Sequence, residues 1–215
     1  MMEFLYFDIE TIPAQSSDTR KWLVESVKAP GNLKDPEKIK AAIADRQADA
    51  VGKSSFDGFT GHVCTIAWDG PDGEGVAHAS SIDQERGVIE AFFRLLKPFG
   101  KLVLAGHNII GFDMPFLTRR AVALSIKLPG SFQWPRNVQP WSDKVHDTMA
   151  MGAGRDFVSL DHLCKSLGIP GKNGFDGSQV AQAWLDGQHE RIAEYCQDDV
   201  RRTRAVHERF LAVGY

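Results

Sequence analysis

The sequence predicts an α/β protein in which helices flank a mixed central sheet. Two observations carry this prediction. Three strand-like segments come early and include a hairpin, and helical and strand-like segments then alternate to the end of the chain. The 215 residues, 43% of them hydrophobic, suit a single domain with a core of ordinary size.

The first half of the chain supplies the hairpin. Residues 3–10 have the apolar, aromatic-rich composition of a buried strand, which Pro13 ends because proline cannot continue a central ladder. Residues 61–68 and 75–80 predict two further strands, joined by a turn at 69–73.

The second half alternates between helices and short strands. Apolar spacing and capping residues predict helices at 83–97, 112–124, 159–168, 178–186 and 189–213. The first of these is expected to begin with a cap from Asp83 and the third with a cap from Ser159. Short strands are predicted at 101–105 and 145–149, with a long loop at 125–143.

A polar, helix-prone segment separates the first two strands. Asp35 followed by Pro36 is typical of a helix start. We expect two surface helices there. Residues 1–215 would then form one domain, with 14–60 as a helical excursion or lid.

Composition limits the function. The formal net charge of −3 gives no support to simple electrostatic binding of nucleic acid, but it suits an enzyme whose carboxylates hold divalent cations. Cys64, Cys164 and Cys196 are far apart, which predicts buried thiols in a reduced, cytoplasmic protein rather than a zinc site. No run approaches the roughly 20 apolar residues of a membrane span, and no signal peptide is expected.

Asp8 and Glu10 are the first candidate metal ligands. Strand side chains alternate, so both carboxylates point to one face of an apolar strand and Ile9 points to the other. Two such carboxylates repel each other and are costly to desolvate, and a cation removes that cost. The spacing alone is weak, because it recurs in polar settings at Asp35/Glu37, Asp72/Glu74 and Asp83/Glu85. The alternative is that both acids mark an exposed strand end.

Asp113 is the second candidate. It follows a predicted strand and a glycine-containing segment, and it opens a helix. The alternative is a plain helix cap, the more common role of such an aspartate. In the same segment, Asn108 is either a turn residue or a substrate contact.

Tyr195 and Asp199 are the third candidate. At i and i+4 they share a helix face beside the apolar stripe of the last helix, where a phenol could orient a water. The alternative is a surface acid pair on a charged helix. Asp198 is the competing ligand, but it lies off the face of Tyr195. Farther from these segments, Asp147 is expected to be a turn or cap residue more than a site residue.

Three segments together resemble a known superfamily. Phe7–Thr11, His107–Asp113 and Tyr195–Asp199 resemble the motifs of the DEDD 3′–5′ exonucleases, in the tyrosine (DEDDy) version. The resemblance implies a ribonuclease H-like fold and covers nearly the whole chain. The chain looks closest to stand-alone predicted exonucleases related to the proofreading domain of family-B DNA polymerases. The 14–60 segment departs from this pattern, being longer than a minimal exonuclease needs.

The resemblance also implies roles for the five site residues. It implies hydrolysis of phosphodiester bonds at single-stranded 3′ ends with two Mg²⁺ or Mn²⁺ ions. Asp8 would bridge both ions, Glu10 and Asp199 would hold the ion that carries the attacking water, and Asp113 would serve the second ion. Tyr195 would orient the nucleophile.

Substrate contacts are predicted around these acids. The resemblance places Thr11, Asn108 and Phe112 in the pocket for the 3′ nucleotide, and Lys172 is predicted to contact a phosphate. Phe112, Phe132, Trp134 and Trp141 are candidates for stacking on bases, although the alternative for the last three is ordinary loop packing. Lys165 and Arg155 are further candidates for phosphate contacts. We expect no membrane partner and no polymerase domain in cis. The alternatives are an RNA-processing exoribonuclease and an inactive nucleic-acid-binding module of the same fold.

Overall fold

A mixed sheet forms the centre of the protein in this computed structural model, which describes residues 3–96, 102–132, 144–154, 156–172 and 174–215. The strands are β1 (Glu3–Ile12), β2 (His62–Gly70), β3 (Gly73–His78), β4 (Leu102–Gly106) and β5 (Val145–Asp147). The helices are α1 (Ser17–Glu25), α2 (Pro36–Lys53), α3 (Glu85–Leu95), α4 (Asp113–Ala123), α5 (Thr148–Ala153), α6 (Leu160–Ser166), α7 (Val180–Leu185) and α8 (His189–Ala212).

Strand order confirms the mixed sheet. Among the described residues the order is β3-β2-β1-β4-β5. β1 pairs antiparallel with β2 and parallel with β4, so it occupies the middle of the sheet. Its pairing with β2 shifts register between Glu10 and Thr11. Such an irregularity bends a strand and redirects its side chains.

The two faces of β1 pack against different helices. Phe7 and Ile9 belong to the main core, where Phe7 contacts Phe92 of α3 at a ring-centroid distance of 4.8 Å. On the other face, Tyr6 is in a cluster with Cys196 of α8. Because side chains alternate, Asp8 and Glu10 share the α8 face with Tyr6.

Most predicted elements shift by one or two residues at their ends, and three differences bear on the site and its surroundings. β1 continues through Ile12, two residues beyond the predicted end at residue 10. Asp83 lies inside a 3₁₀ turn, and α3 begins at Glu85 without a side-chain cap, so the predicted Asp83 cap is wrong. The predicted strand at 145–149 ends at Asp147, whose side chain caps the unpredicted helix α5 by accepting from Met149 N.

The 14–60 segment folds as predicted into two surface helices. Asp35 caps α2 by accepting from the backbone of Glu37 and Lys38. Neither α1 nor α2 buries a residue, and the two helices pack against each other. No helix in the described part of the chain is long and apolar enough to cross a membrane.

Candidate active site

The middle strand carries two of the predicted acids into a buried site. Glu10 is 9% exposed and Asp8 is half-buried. One potential ligand atom from each of Asp8, Glu10 and Cys196 lies within 4.8 Å of the other two. The Cys196 thiol also points at Asp8, with Sγ 3.4 Å from the backbone oxygen of Asp8 and 3.6 Å from its Oδ2.

Asp113 joins this site from α4. Its carboxylate is buried, and Oδ1 accepts a hydrogen bond from Ile9 N at 3.1 Å. Asp113 is the first residue of α4, and Phe112 occupies the cap position without a side-chain cap bond. The side chain of Asp113 therefore serves β1 rather than capping its own helix, and the plain-cap alternative is wrong.

α8 supplies the third pair of predicted residues. Asp199 accepts from Arg202 at 2.8 Å and lies 3.4 Å from Nζ of Lys172. Lys172 also donates to the hydroxyl of Tyr195. Both Tyr195 and Asp199 are buried, whereas the side chain of Asp198 is 43% exposed and pairs with Arg201. The helix thus turns Asp199, and not Asp198, toward the buried side.

The buried acids act on one another electrostatically. Burial first, and then repulsion from Asp113, Glu10 and Asp199, raises the pKa of Asp8 well above its usual value. Burial and repulsion from Asp199 likewise raise the pKa of Glu10, although Lys172 opposes the effect. Burial raises the pKa of Asp113 to about 7. These acids lie close enough together that placing several negative charges here is costly.

The thiol and the phenol at the site both keep their protons. Burial raises the pKa of Cys196 well above its usual value, and repulsion from Asp8 and Glu10 adds to the effect. Burial also raises the pKa of Tyr195, followed by repulsion from Glu10 and Asp199. Tyr195 can therefore donate a hydrogen bond but is a poor base, and Cys196 is a donor rather than a thiolate ligand.

The chemistry of these groups fits a hard divalent cation. Carboxylate oxygens are the ligands that Mg²⁺ and Mn²⁺ prefer, and a cation would offset the repulsion that raises the pKa values of Asp8 and Glu10. Asp8 and Glu10, with Cys196, form the compact group of potential ligand atoms, whereas Asp113 and Asp199 lie outside that group but near enough to raise the pKa of Asp8. That all four acids hold the cations stays a prediction.

A buried aspartate shapes the loop before Asp113. Asp147 accepts from Asn108 N at 2.8 Å and from Ile110 N at 3.0 Å, in addition to capping α5. Asn108 has a φ of 63°, a left-handed conformation that asparagine tolerates better than most residues. Asp147 thus acts as a cap and loop anchor, as its sequence position predicted.

The predicted substrate contacts surround the acids, and they stay predictions. Thr11 follows Glu10, but its hydroxyl donates to the backbone oxygen of Ser55 at 2.7 Å. Asn108 and Phe112 are half-buried on the loop that leads to Asp113. Lys172 is half-buried and contacts both Tyr195 and Asp199. Any phosphate that it binds would therefore lie beside these two residues.

The remaining contact candidates have varied outcomes. Phe132 is fully buried against Phe92 and Phe93, so the prediction that it stacks on bases is wrong. Lys165 is exposed and pairs with Asp161 at 2.6 Å. Trp134, Trp141 and Arg155 lie outside the described residues.

Two residues of the site were not singled out from the sequence. The sequence predicts Cys196 only as a buried thiol, and it assigns Arg202 no role. Cys196 touches Asp8, and Arg202 pairs with Asp199. Their positions in the sequence could have identified them. Cys196 directly follows Tyr195 inside the third motif, and Arg202 follows Asp199 by three residues, about one helical turn.

Comparison with known proteins gives a consistent relationship. The family described as "Predicted 3'-5' exonuclease related to the exonuclease domain of PolB" matches residues 63–214. A DNA polymerase of Pyrococcus glycovorans is 25% identical over 166 residues, which cover 67% of this chain and 20% of that polymerase. DNA polymerase 2 of Aeropyrum pernix is 27% identical over 152 residues, which cover 60% of this chain and 18% of that polymerase. The chain thus spans about a fifth of the length of these relatives.

A solved structure shows the same fold. The family B DNA polymerase from the hyperthermophilic archaeon Pyrobaculum calidifontis matches with a TM-score of 0.62 and 22% identity. The match covers 98% of this chain and 25% of that chain. It confirms the predicted ribonuclease H-like fold.

Proposed function

The chain belongs to the family of predicted 3′–5′ exonucleases related to the exonuclease domain of PolB, and on that basis we propose that it removes nucleotides from unpaired 3′ ends of DNA by a two-metal-ion mechanism. One observation carries the proposal. Carboxylates from β1, α4 and α8, far apart in the sequence, come close enough together for Asp113, Glu10 and Asp199 to raise the pKa of Asp8. In a structural protein this repulsion would only destabilise the fold, whereas a metal-dependent nuclease needs several carboxylates together to hold its cations.

The proposed reaction is hydrolysis of the last phosphodiester bond. A water oxygen bonds to phosphorus, and the bond from phosphorus to the 3′ oxygen of the preceding nucleotide breaks. The products are a nucleoside 5′-monophosphate and a new 3′ hydroxyl. Two divalent cations held by Asp8, Glu10, Asp113 and Asp199 would activate the water and offset charge on the phosphate.

Tyr195 and Lys172 complete the proposed site. The raised pKa keeps the Tyr195 phenol protonated, so it orients the water by a hydrogen bond and does not remove the proton. The ammonium of Lys172 bonds the same hydroxyl and fixes its direction. It also places a positive charge beside Asp199, where a scissile phosphate would add negative charge.

Arg202 and Cys196 position the acids. Arg202 holds one oxygen of Asp199, and Lys172 lies beside the other. Cys196 donates to Asp8, with Sγ 3.6 Å from Oδ2. These contacts fix carboxylate orientation before any cation binds, as preorganised catalytic sites require.

The choice of DNA rests on the relatives, which are DNA polymerases. A parallel digestion tests it: single-stranded DNA, single-stranded RNA and blunt duplex DNA of one sequence, each labelled at the 5′ end. Stepwise shortening of single-stranded DNA, faster than that of RNA, is expected. Faster shortening of RNA would transfer the proposal to an exoribonuclease.

The adjacent acids Asp198 and Asp199 give a matched test of the mechanism. We expect Asp199→Asn, like Asp8→Ala, to lower kcat by roughly 10³-fold or more, because either change removes a ligand for the ions. Asp198→Asn should lower kcat far less, since Asp198 is 43% exposed and its nearest link to Asp199 is a 3.4 Å contact with Arg202. Calorimetry with Mn²⁺ should show loss of metal binding in the first two variants alone. Full activity of purified Asp8→Ala would refute the mechanism.

A further inference from the structure

Two exposed phenylalanines lie on the loop that precedes β2. Residues 54–61, here called the 54–61 loop, carry Phe56 at 69% exposure and Phe59 at 57% exposure. A single exposed apolar side chain needs no explanation. Two aromatic rings three residues apart, on one short loop beside an active site, suggest a binding surface.

The loop holds its shape by its own hydrogen bonds. Asp57 N donates to the Ser54 oxygen at 3.0 Å, and Gly61 N donates to the Asp57 oxygen at 2.7 Å. Phe59 N donates to the side chain of Asp57 at 3.1 Å. Its first residue is also fixed, since Ala14 N donates to Ser54 Oγ at 2.8 Å. The loop is therefore ordered without a ligand.

Close backbone packing fastens the loop to α4. Gly58 is buried, and a Cβ at this position would lie 2.6 Å from the Phe116 backbone oxygen. The Gly58 oxygen accepts from the buried Arg120 guanidinium at 3.3 Å. Phe56 and Phe59 thus project from a fixed backbone, which reduces the entropy lost when a ligand binds.

The loop is also continuous with the active site. The Phe56 ring lies 6.3 Å from the Phe112 ring, centroid to centroid, in an edge-to-face arrangement. Phe112 directly precedes Asp113. On the other side, Thr11, next to Glu10, donates to the Ser55 oxygen. The Phe56 ring is therefore joined to the elements that carry the acids, and Phe59 lies three residues farther along the same loop.

We propose that Phe56 and Phe59, together with Phe112, form a stacking surface for the unpaired bases of the substrate strand. This rests on the proposed exonuclease function. An aromatic face stacks on any base, so it binds a 3′ end without sequence preference. It also supplies affinity that a net charge of −3 does not. Phe56 and Phe59 precede residues 63–214, the part matched by the family.

Binding to single-stranded DNA measures the surface without cleavage. In the inactive Asp8→Ala background, fluorescence anisotropy with a labelled oligothymidylate gives Kd. Phe56→Ala and Phe59→Ala should each raise Kd roughly tenfold. Phe56→Trp should restore binding, because it keeps a flat ring. Tyr215→Ala is the matched control, an exposed aromatic residue at the far end of α8, and should leave Kd unchanged.

Kinetics on the active chain separate stacking from loosening of the loop. With an intact strand, Phe56→Ala should raise KM about tenfold and change kcat little. With a strand whose last three nucleotides lack bases, wild type and Phe56→Ala should have equal KM. If Phe56→Ala still raises KM tenfold on the abasic strand, the ring only supports the loop, and the proposed stacking surface is refuted.

The surface and the proposed function fail in different ways. Unchanged Kd and KM in the Phe56→Ala, Phe59→Ala double variant of an active enzyme would remove the surface and leave the exonuclease. Absence of cleavage by wild type with Mn²⁺, alongside the tenfold loss of binding, would refute the exonuclease and keep a base-stacking surface. If wild type does not cleave and the variants bind the oligonucleotide as tightly as wild type does, both the exonuclease function and the stacking surface are refuted.

Discussion

At the residue scale, the central feature is a set of acids that destabilise one another. Asp8 and Glu10 share one strand face, and Asp113 approaches the same strand through its bond to Ile9 N. Their raised pKa values mean that folding brings carboxylates into a place where their charged forms are unfavourable. Without a bound cation, these carboxylates therefore reduce the stability of the folded protein.

The raised pKa values of these acids predict that the stability of the metal-free protein depends on pH. The pKa of Asp113 is about 7 in the folded state and near 3.8 unfolded, so between these values the folded protein binds more protons. Stability in EDTA should therefore fall as pH rises through this range, by up to about 1.4 kcal/mol per pH unit for each such acid. Denaturant unfolding measured at pH 6.5, 7.0 and 7.5 would show this fall.

An opposing group also titrates near this window. Burial, and then repulsion from His146, lowers the pKa of His207 to about 4, so this residue adds stability as pH rises through the unfolded histidine value of 6.5. Its contribution fades across pH 6.5–7.5 but is still present, so comparison with Asp113→Asn is needed to isolate Asp113. Asp113→Asn should make the fall of the unfolding free energy with pH shallower, and Asp198→Asn should not. Excess Mg²⁺ should also flatten the wild-type slope. An identical slope in Asp113→Asn would contradict the assignment.

At the element scale, one buried ion pair joins the parts that surround the site. Arg120 of α4 donates two hydrogen bonds to Glu85 of α3, at 2.7 and 2.6 Å. Glu85 also accepts from Val63 N in β2 at 2.8 Å, and Arg120 reaches the Gly58 oxygen. Burial alone would raise the pKa of Glu85, but the bonds from His62 and Arg120 hold it below its usual value.

Breaking this pair should be costly. Arg120→Met leaves Glu85 charged and buried without its partner, and we expect a loss of about 3–5 kcal/mol in the free energy of unfolding. The adjacent Arg119→Met is the control, since Arg119 is exposed, and it should change stability by less than about 0.5 kcal/mol. Equal effects in the two variants, measured by urea unfolding at pH 7, would argue against this role for the pair.

At the scale of the whole molecule, α1 and α2 are an appendage to the sheet. Neither helix buries a residue. The two ends of the segment meet, because Ala14 N donates to Ser54 Oγ. The core therefore closes without the helices, and their role as a lid over the acids stays a prediction.

A deletion variant distinguishes a simple appendage from a lid over the acids. Replacing residues 17–52 with Gly-Ser-Gly should change the free energy of unfolding by no more than about 1 kcal/mol, because a shorter connection costs little to close. Mn²⁺ binding should persist. A lid function would appear as altered kcat or KM in the folded deletion variant. Extending the deletion through Ser54 removes the contact with Ala14 and should destabilise the protein. Unfolding of the shorter deletion would refute the appendage.

The sequence alone determined what depends on neighbours along the chain. Alternation in β1 put Asp8 and Glu10 on one face, and local side chains marked the caps at Asp35 and Ser159. The order and spacing of three short motifs indicated the family that the comparisons then showed. These inferences need only residues a few positions apart, for which strand and helix periodicity is sufficient.

Tertiary structure decided what depends on residues far apart. The bond from Ile9 to Asp113 spans 104 positions, and it shows that the Asp113 side chain bonds to β1 and does not cap its own helix. Long-range packing also decided that the Phe132 ring lies in the core and that the Phe56 ring lies beside Phe112. Local spacing carries no information on such contacts, because they arise only when strand order and helix packing set which distant side chains meet.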